Sequence, residues 1–118
     1  MRFFLKKADR ILKRSEFVGL SSSTSRRVHT DLFIALVAPS RRERSRLGVT
    51  VSRKVGGAVQ RNRLKRLARE FFRLNRHLLK DRWDINLIAR KGASAQPNPA
   101  IFQALKDLFE TIARQFEG

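Results

Sequence analysis

The sequence predicts an α+β domain in which helices pack on a single mixed β-sheet. A nearly continuous apolar run at residues 30–39 is typical of a strand buried on both faces. Residues 47–51 and 85–89 place alternate side chains on two faces, as strands do. Residues 64–78 and 101–116 instead repeat apolar side chains at helical spacing. With 118 residues, of which 42% are hydrophobic, the chain is long enough for one compact domain, which we assign to residues 1–118.

The first elements are predicted to be a short helix and two strands. Ser15 is a suitable N-cap for a helix over residues 15–20, and the polar run that follows favours a loop. The first strand stops at Pro39. In the next strand, one face carries Leu47, Val49 and Val51, and the other carries Gly48, Thr50, Ser52 and Lys54. The first of these faces builds core, whereas the second is small, polar and open to a ligand.

A basic helix is predicted to follow a turn at Gly56 and Gly57. At about 100° per residue, one side of this helix gathers Leu64, Leu67, Ala68, Phe71, Leu74 and Leu78. The opposite side carries Asn62, Arg66, Arg69 and Arg73, with Lys65 and Arg76 beside it and Arg61 and Arg63 at the boundaries. The helix is therefore expected to present a row of guanidinium groups, whose planar forks suit phosphate contacts.

A last strand and a last helix complete the prediction. In the strand, Ile85, Leu87 and Ala89 alternate with Asn86, Ile88 and Arg90, and Asp81 and Asp84 are assigned to the turn before it. The helix is predicted to have Asn98 as N-cap and Pro99 at its first position. Its apolar stripe consists of Ile101, Leu105, Leu108, Ile112 and Phe116, so it is expected only to pack.

The charge of the chain indicates a polyanionic partner. There are 27 Lys and Arg residues against 10 Asp and Glu residues, which leaves a formal net charge of +17. Residues 52–76 carry nine basic side chains and one acidic one, whereas residues 101–118 carry two basic and three acidic ones. A helix face that is merely solvated usually mixes both signs, so this distribution favours nucleic-acid binding over plain solvation.

Catalysis or metal binding by the protein itself is not expected. The sequence contains no Cys, His29 and His77 stand far apart, and the acidic residues are scattered through basic sequence. The glycines before the basic helix are not followed by the pattern of a nucleotide phosphate loop. There is neither a secretion signal nor a run of ~20 apolar residues that could cross a membrane, so we expect a cytoplasmic protein.

The segment RLGVTVSRKVGGAVQRNRLKRLAREFFR resembles the signature region of the bacterial ribonuclease P protein family. The resemblance extends in order to LKKADRILKRSEF before it and to INLIARKG after it, and so covers residues 5–92. It implies an α-β sandwich with a four-stranded sheet and three helices, in the order α-β-β-β-α-β-α. It also implies that the basic helix lies in a βαβ crossover of the left hand, against the usual right-handed rule.

The same resemblance implies a function. The protein would be the non-catalytic subunit of a ribozyme whose RNA removes the 5′ leader from precursor tRNA, using Mg²⁺ held by the RNA. No cofactor bound tightly to the protein and no obligate protein partner are expected. The residues implied to bind the catalytic RNA are Ser52, Arg53, Lys54, Arg61, Asn62, Arg63, Lys65, Arg66 and Arg69. Those implied to bind the leader are Phe17, Thr50, Ser52, Arg90 and Lys91.

Aromatic residues for the leader are few. A leader of varied sequence is best held by a basic groove and by stacking of its bases. The chain departs from the family pattern because Ser21 stands where a second aromatic residue often follows Phe17. It also has no Tyr, so the central strand offers only Phe33 and aliphatic residues. Phe17 therefore either stacks alone or belongs to the core, and the residues by themselves leave both interpretations open.

Two other functions remain open on the residues alone. A ribosomal or other structural RNA-binding protein would share the charge and the arginine helix, but would not need a small polar strand face beside an exposed aromatic residue. A stand-alone nuclease would need a metal site, for which the sequence offers no clustered carboxylates.

Overall fold

Two helices cover one face of a four-stranded sheet in the part of the chain that the computed structural model describes, residues 9–11, 26–40 and 42–117. In chain order the elements are β1 (Arg26–His29), β2 (Phe33–Pro39), β3 (Arg46–Thr50), α1 (Ala58–Asn75), β4 (Trp83–Ala89) and α2 (Asn98–Ile112). Short 3₁₀ turns follow α1 and β4, and a π-helical turn at Ala113–Glu117 follows α2. The α+β prediction and the order of these six elements are confirmed. The helix predicted at residues 15–20 lies outside the described residues.

The sheet is mixed, and its strand order is β1-β2-β4-β3. β1 and β4 both pair antiparallel with β2, whereas β3 pairs parallel with β4. Parallel neighbours cannot be joined by a hairpin, so the chain must cross over between them, and α1 lies in that connection. The left hand of the crossover stays a prediction of the resemblance.

β1 is the strand that the residue pattern did not predict, although the family order requires it. It has four residues, RRVH, of which only Val28 is buried. Its residues pair with those of β2 from Ile34 to Val37, and it lies at the edge of the sheet. A strand this short and this charged carries no recognisable alternation, because an edge strand needs few apolar side chains.

Alternation along the strands sends one set of side chains toward the helices. This set includes Phe33, Ala35 and Val37 of β2 and Ile85, Leu87 and Ala89 of β4, all buried in the main core. The opposite face of β2 is also covered, since Leu36 is 3% exposed and packs with Ile11. The burial on both faces that the apolar run predicted is therefore confirmed on the helix side and at Leu36, whereas Ile34 and Ala38 on the opposite face are only half-buried.

α1 buries the side that its periodicity predicted, with two exceptions: Leu74, and Leu78, which is half-buried in the 3₁₀ turn after the helix. Leu64, Leu67, Ala68, Phe71 and Phe72 are its buried residues. Phe71 meets Phe109 of α2 edge to face, with ring centroids 5.1 Å apart. The predicted burial of Leu74 is wrong, because this residue is 45% exposed. It lies near the end of α1 at the rim of a groove shared with Pro99 and Phe102, where no described element covers it.

The turn before α1 lies earlier than the two glycines. The N–H of Val55 donates to the carbonyl of Ser52 at 3.1 Å, so the chain reverses over residues 52–55. Gly57 is the N-cap of α1 with φ of −71°, and none of the described glycines has a positive φ. The prediction that Gly56 and Gly57 form the turn is therefore wrong by a few residues.

α2 begins at Asn98, with Pro97 rather than Asn98 as its N-cap. Its predicted stripe is confirmed at Ile101, Leu105, Leu108 and Ile112, which are fully buried, while Phe116 in the π-helical turn is half-buried. Asp84, which was assigned to a turn, lies in β4 and forms a two-pronged ion pair with Arg46, its register neighbour in β3. Neither α1 nor α2 combines the length and the apolar character that a membrane-spanning helix needs.

Candidate nucleic-acid interface

α1 turns a basic face away from the core. Asn62 and Arg66 are exposed, and Arg69 and Arg73 are half-buried, on the side opposite the buried stripe. We call these four residues the outer face of α1. Packing of the buried stripe fixes the rotation of the helix about its axis, so the outer face has a defined orientation. This orientation agrees with the one predicted from the spacing of the residues.

A shallow cleft of about 400 Å³ lies beside the outer face, lined by Arg10, Arg66, Arg69, Glu70 and Arg73. Glu70 contacts Arg73 at 3.6 Å. Within residues 9–11, 26–40 and 42–117, no carboxylate forms an ion pair with Arg10, Arg66 or Arg69. Burial, together with the charge of Arg10, lowers the pKa of Arg69 from its ordinary value. The cleft is therefore strongly electropositive and suited to an anion.

Arg63 forms hydrogen bonds within the protein. Its Nη2 donates to the carbonyl of Gln96 at 2.6 Å and to Oδ1 of Asn98 at 2.8 Å. Its Nε donates to the same Asn98 oxygen at 3.0 Å. Arg63 thus fastens the first half of α1 to the start of α2. Arg61, at the other boundary, is half-buried, and its Nε is buried with no hydrogen-bond acceptor among the described groups.

The turn between β3 and α1 adds further polar and basic side chains. Ser52, Arg53 and Lys54 are all exposed, while Val51 and Val55 on either side of them are buried. These two apolar anchors hold the turn against the core. Lys65, one turn further along α1 than Arg61, is half-buried. The structure therefore places all the residues implied to bind the catalytic RNA on α1 or on the turn that leads into it.

The sheet has a second face, directed away from the main core, which carries a different set of side chains. By register, one row across this face is His29, Ile34, Ile88 and Thr50, and the next is Arg27, Leu36, Asn86 and Gly48. We call these two rows the second face of the sheet. Thr50 is exposed, and its hydroxyl donates to Oδ1 of the buried Asn86 at 3.0 Å. The small polar strand face predicted here is therefore confirmed only at Thr50, because Gly48 is buried and the strand ends before Ser52 and Lys54, which lie in the turn that follows.

Of the residues implied to bind the leader, the four that the structure describes lie at one end of the sheet. β3 and β4 are parallel, so their carboxyl ends lie side by side. Thr50 and Ser52 at the end of β3 are thereby brought close to Arg90 and Lys91, which follow β4 and are exposed. The guanidinium of Arg90 also donates to the carbonyl of Thr30 at 3.1 Å.

Of the aromatic residues considered for the leader site, the structure describes Phe33 but not Phe17. Phe17 and Ser21 lie outside the described residues. Phe33 is fully buried on the helix side of the sheet, so its ring is not available for stacking on a base. The described part of the second face offers aliphatic side chains, Thr50, Asn86 and the edge residues Arg27 and His29.

Asp9 and Asp84 are both held in ion pairs with arginines. Asp9 is 1% exposed, and its Oδ1 lies 2.8 Å from Arg44 and 3.2 Å from Arg76. Asp84 is held by Arg46. Nowhere in the described part of the chain do three His, Asp or Glu side chains come together as a metal site would require.

Three residues of this surface were not singled out by the sequence. Arg10 and Asp9 reach the end of α1 through the tertiary fold, and no spacing in the sequence indicates this contact. Asn86 is different, because it interrupts an apolar strand with one polar side chain. A buried polar residue needs a hydrogen-bond partner, so this interruption could have indicated a polar contact at Asn86 from the sequence alone.

Comparisons with known proteins indicate one family. The sequence model of the ribonuclease P family matches residues 5–113. A ribonuclease P protein component from Desulfosudis oleivorans is 47% identical over 114 residues, which cover 97% of this chain and 93% of that protein. Another, from Geotalea uraniireducens, is 41% identical over 114 residues and covers 94% of this chain and 96% of its own length.

Solved structures give the same result. The RNase P protein of Staphylococcus aureus superposes with a TM-score of 0.83 at 32% identity, covering 93% of this chain and 99% of that one. The RNase P protein of Thermotoga maritima superposes with a TM-score of 0.79 at 31% identity, covering 87% of this chain and 96% of that one. The similarity therefore spans nearly the whole length of both partners.

Proposed function

Because this chain belongs to the ribonuclease P protein family, we propose that it binds the catalytic RNA through α1 and the 5′ leader of precursor tRNA along the second face of the sheet. Membership makes it the protein component of the endoribonuclease that matures the 5′ end of tRNA, in which the RNA does the catalysis. It also implies association with that RNA. The assignment of surfaces to the two RNAs is our proposal.

The observation that carries the proposal is the cluster of Arg10, Arg66 and Arg69 in the cleft beside the outer face of α1, for which the described residues supply no carboxylate partner. Bringing Arg10, Arg66 and Arg69 together without a carboxylate partner costs free energy in the isolated protein. The phosphates of an RNA would offset that cost by pairing with the guanidinium groups. Ser52, Arg53, Lys54, Arg61, Asn62 and Lys65 would extend the same contact toward the start of α1.

The leader is assigned to the second face because cationic and polar side chains lie together at one end of it. A single strand needs cations for its phosphates and groups that contact its bases or sugars. Arg90 and Lys91 would supply the cations, and Thr50 and Ser52 would supply the polar contacts. Phe17 stays a candidate for stacking.

We infer that the protein holds no cofactor tightly and that the Mg²⁺ used in cleavage is held by the RNA. The carboxylates of Asp9 and Asp84 support this inference, since both are occupied by arginines. We also expect the protein to work in the cytoplasm without an obligate protein partner. A ribosomal protein or a stand-alone nuclease is not favoured, because the family model and the relatives described above are all ribonuclease P proteins.

A cleavage assay with purified components tests the proposal. The protein alone is expected to leave precursor tRNA intact in Mg²⁺, because it lacks clustered carboxylates. Addition of the catalytic RNA should give cleavage at a Mg²⁺ concentration that is too low for the RNA alone, which serves as the control. Metal-dependent cleavage by the purified protein that disappears when one acidic residue is replaced would contradict the proposal.

A further inference from the structure

Thr50 and Asn86 form a polar pair on the second face of the sheet, next to the aliphatic side chains of β2 and β4. In the sheet register, Thr50 lies opposite Ile88, and Asn86 lies between Leu36 and Gly48. Asn86 is 4% exposed, whereas Thr50 is exposed. The pair therefore connects a buried amide to a hydroxyl at the surface of the proposed leader site.

The hydrogen bond between the two residues fixes what Thr50 can offer to a ligand. The Thr50 hydroxyl donates to Oδ1 of Asn86, with 3.0 Å between the oxygens. Within the described residues, this is the one side-chain hydrogen bond that Asn86 forms. A hydroxyl has one hydrogen to donate and two lone pairs that can accept. Once its hydrogen is committed to Asn86, Thr50 can only accept a hydrogen bond from a further group.

We propose that Asn86 is a positioning residue that orients the Thr50 hydroxyl so that its oxygen accepts a hydrogen bond from a leader nucleotide. The inference rests on the proposed function, because it takes the leader to lie along the second face of the sheet. The group that donates to Thr50 is a sugar 2′-hydroxyl or an N–H group of a base, either an exocyclic amine or the ring N–H of guanine or uracil, because each of these carries a hydrogen to donate.

This assignment excludes a phosphate at Thr50. A phosphodiester oxygen carries no hydrogen, so it cannot donate to the threonine oxygen. Phosphates are better placed beside Arg90 and Lys91, which lie at the same end of the sheet. The cations would hold the backbone of the leader, and the Thr50 and Asn86 pair would contact a sugar or a base.

The test compares holoenzymes reconstituted with Thr50→Val, Asn86→Val, the double variant and Thr50→Ser, with binding of precursor and mature tRNA as the readout. The two single variants should each weaken precursor binding about 3- to 10-fold, the effect of one hydrogen bond. The double variant should be no weaker than Thr50→Val, because both changes remove the same contact. Thr50→Ser keeps the hydroxyl and should bind normally. Mature tRNA, which lacks the leader, should bind all variants equally.

Thr111→Val is the matched control. Thr111 also donates its hydroxyl within the protein, to the carbonyl of Asp107 at 2.8 Å, but it lies on α2 on the other side of the sheet. Thermal unfolding of each free variant shows whether it folds. Asn86→Leu, matched to the neighbouring Leu36, replaces Asn86→Val if that variant does not fold.

Modified leaders identify the donor. One set of precursors carries 2′-deoxynucleotides in the leader, and another carries bases that have neither an exocyclic amine nor a ring N–H. Thr50→Val should lose its effect on the set that lacks the donor.

Normal precursor binding by Asn86→Val beside weakened binding by Thr50→Val would overturn the positioning role. An undiminished Thr50→Val effect on both sets would overturn the acceptor role. Failure of the proposed function would look different, because the wild-type holoenzyme itself would then not distinguish precursor from mature tRNA.

Discussion

The arginines of this protein differ in function according to their partners. Arg46 is buried and forms an ion pair with Asp84. Arg63 uses its guanidinium to hydrogen-bond the start of α2. Arg66 and Arg69 have no carboxylate partner among the described residues. The sequence predicted an RNA-binding role for both Arg63 and Arg66. It could not show that Arg63 is hydrogen-bonded within the protein, because the acceptors lie at residues 94–98 and reach Arg63 only in the folded chain.

Replacement of Arg66 and Arg69 together by Ala is expected to weaken binding of the catalytic RNA without unfolding the protein, since neither side chain builds core. Each lost phosphate contact should also reduce the slope of log affinity against log salt by up to about one unit. Affinity measured at several salt concentrations checks both effects. Lys106→Ala with Arg114→Ala removes the same charge from α2 and the π-helical turn after it and serves as the control. An unchanged affinity and slope in the first variant would exclude the outer face as the docking surface.

At the scale of elements, periodicity predicted those that bury a regular stripe. α1, α2, β3 and β4 each turn a repeating set of apolar residues toward the core, so their type and their buried faces were predictable, whereas β2 was predicted from its continuous apolar run. β1 has only one buried residue, so its sequence pattern did not predict a strand. Leu74 was misplaced because helical spacing shows which side a residue faces but not whether a neighbouring element reaches it.

The same limit applies to the candidate site. The direction of the outer face of α1 follows from spacing, whereas the cleft beside it depends on Arg10, which is distant in sequence. The Thr50 and Asn86 pair depends on strand register, which sets the two residues on one face of neighbouring strands. Contacts between elements therefore had to be observed in the structure.

The fastening of α1 by Arg63 can be tested through stability. Arg63→Ala should lower the free energy of unfolding by about 1 to 3 kcal/mol, because it removes several hydrogen bonds to a charged group. Arg66→Ala, on the same helix but without such bonds, should change it by no more than about 0.5 kcal/mol. Urea unfolding of the two variants measures both values. Equal stability of the two variants would show that the Arg63 contacts do not stabilise the fold.

At the scale of the whole molecule, the last turn of the chain closes the structure. The carboxylate of Glu117 accepts hydrogen bonds from the backbone of Lys80 at 3.0 Å and of Asp81 at 2.6 Å, and from the indole of Trp83 at 2.8 Å. Phe116 packs on Trp83 and lies under the guanidinium of Arg26 at 4.9 Å. The turn thereby joins α2 to the start of β4 and to β1.

This closure is expected to depend on pH. Burial raises the pKa of Glu117, but the three hydrogen bonds and the charge of Lys80 outweigh it and lower the pKa below its ordinary value. A carboxylate with a lowered pKa in the folded state stabilises the protein above the pKa of the unfolded chain, near 4.3. That contribution is lost as the pH falls through the lower folded value.

Thermal unfolding of the wild type and of Glu117→Gln between pH 7 and about pH 3 tests this expectation. The wild type should be the more stable protein at neutral pH, and the two melting temperatures should converge in acid. Other acidic residues titrate in both proteins, so the difference between the two curves isolates Glu117. A difference that stays constant with pH would show that the carboxylate charge contributes nothing.

The pairing of β2 with β4 has a consequence for the chain during its synthesis. Phe33 pairs with Ala89, so the apolar β2 has no partner on that side until residue 89 has been made and released. Ribosomes add about 5–20 residues per second, so β2 and the apolar side of α1 stay uncovered for seconds. An uncovered apolar strand is a template for pairing with other chains. The growing chain, more than the finished one, is therefore the form of this protein that is exposed to aggregation.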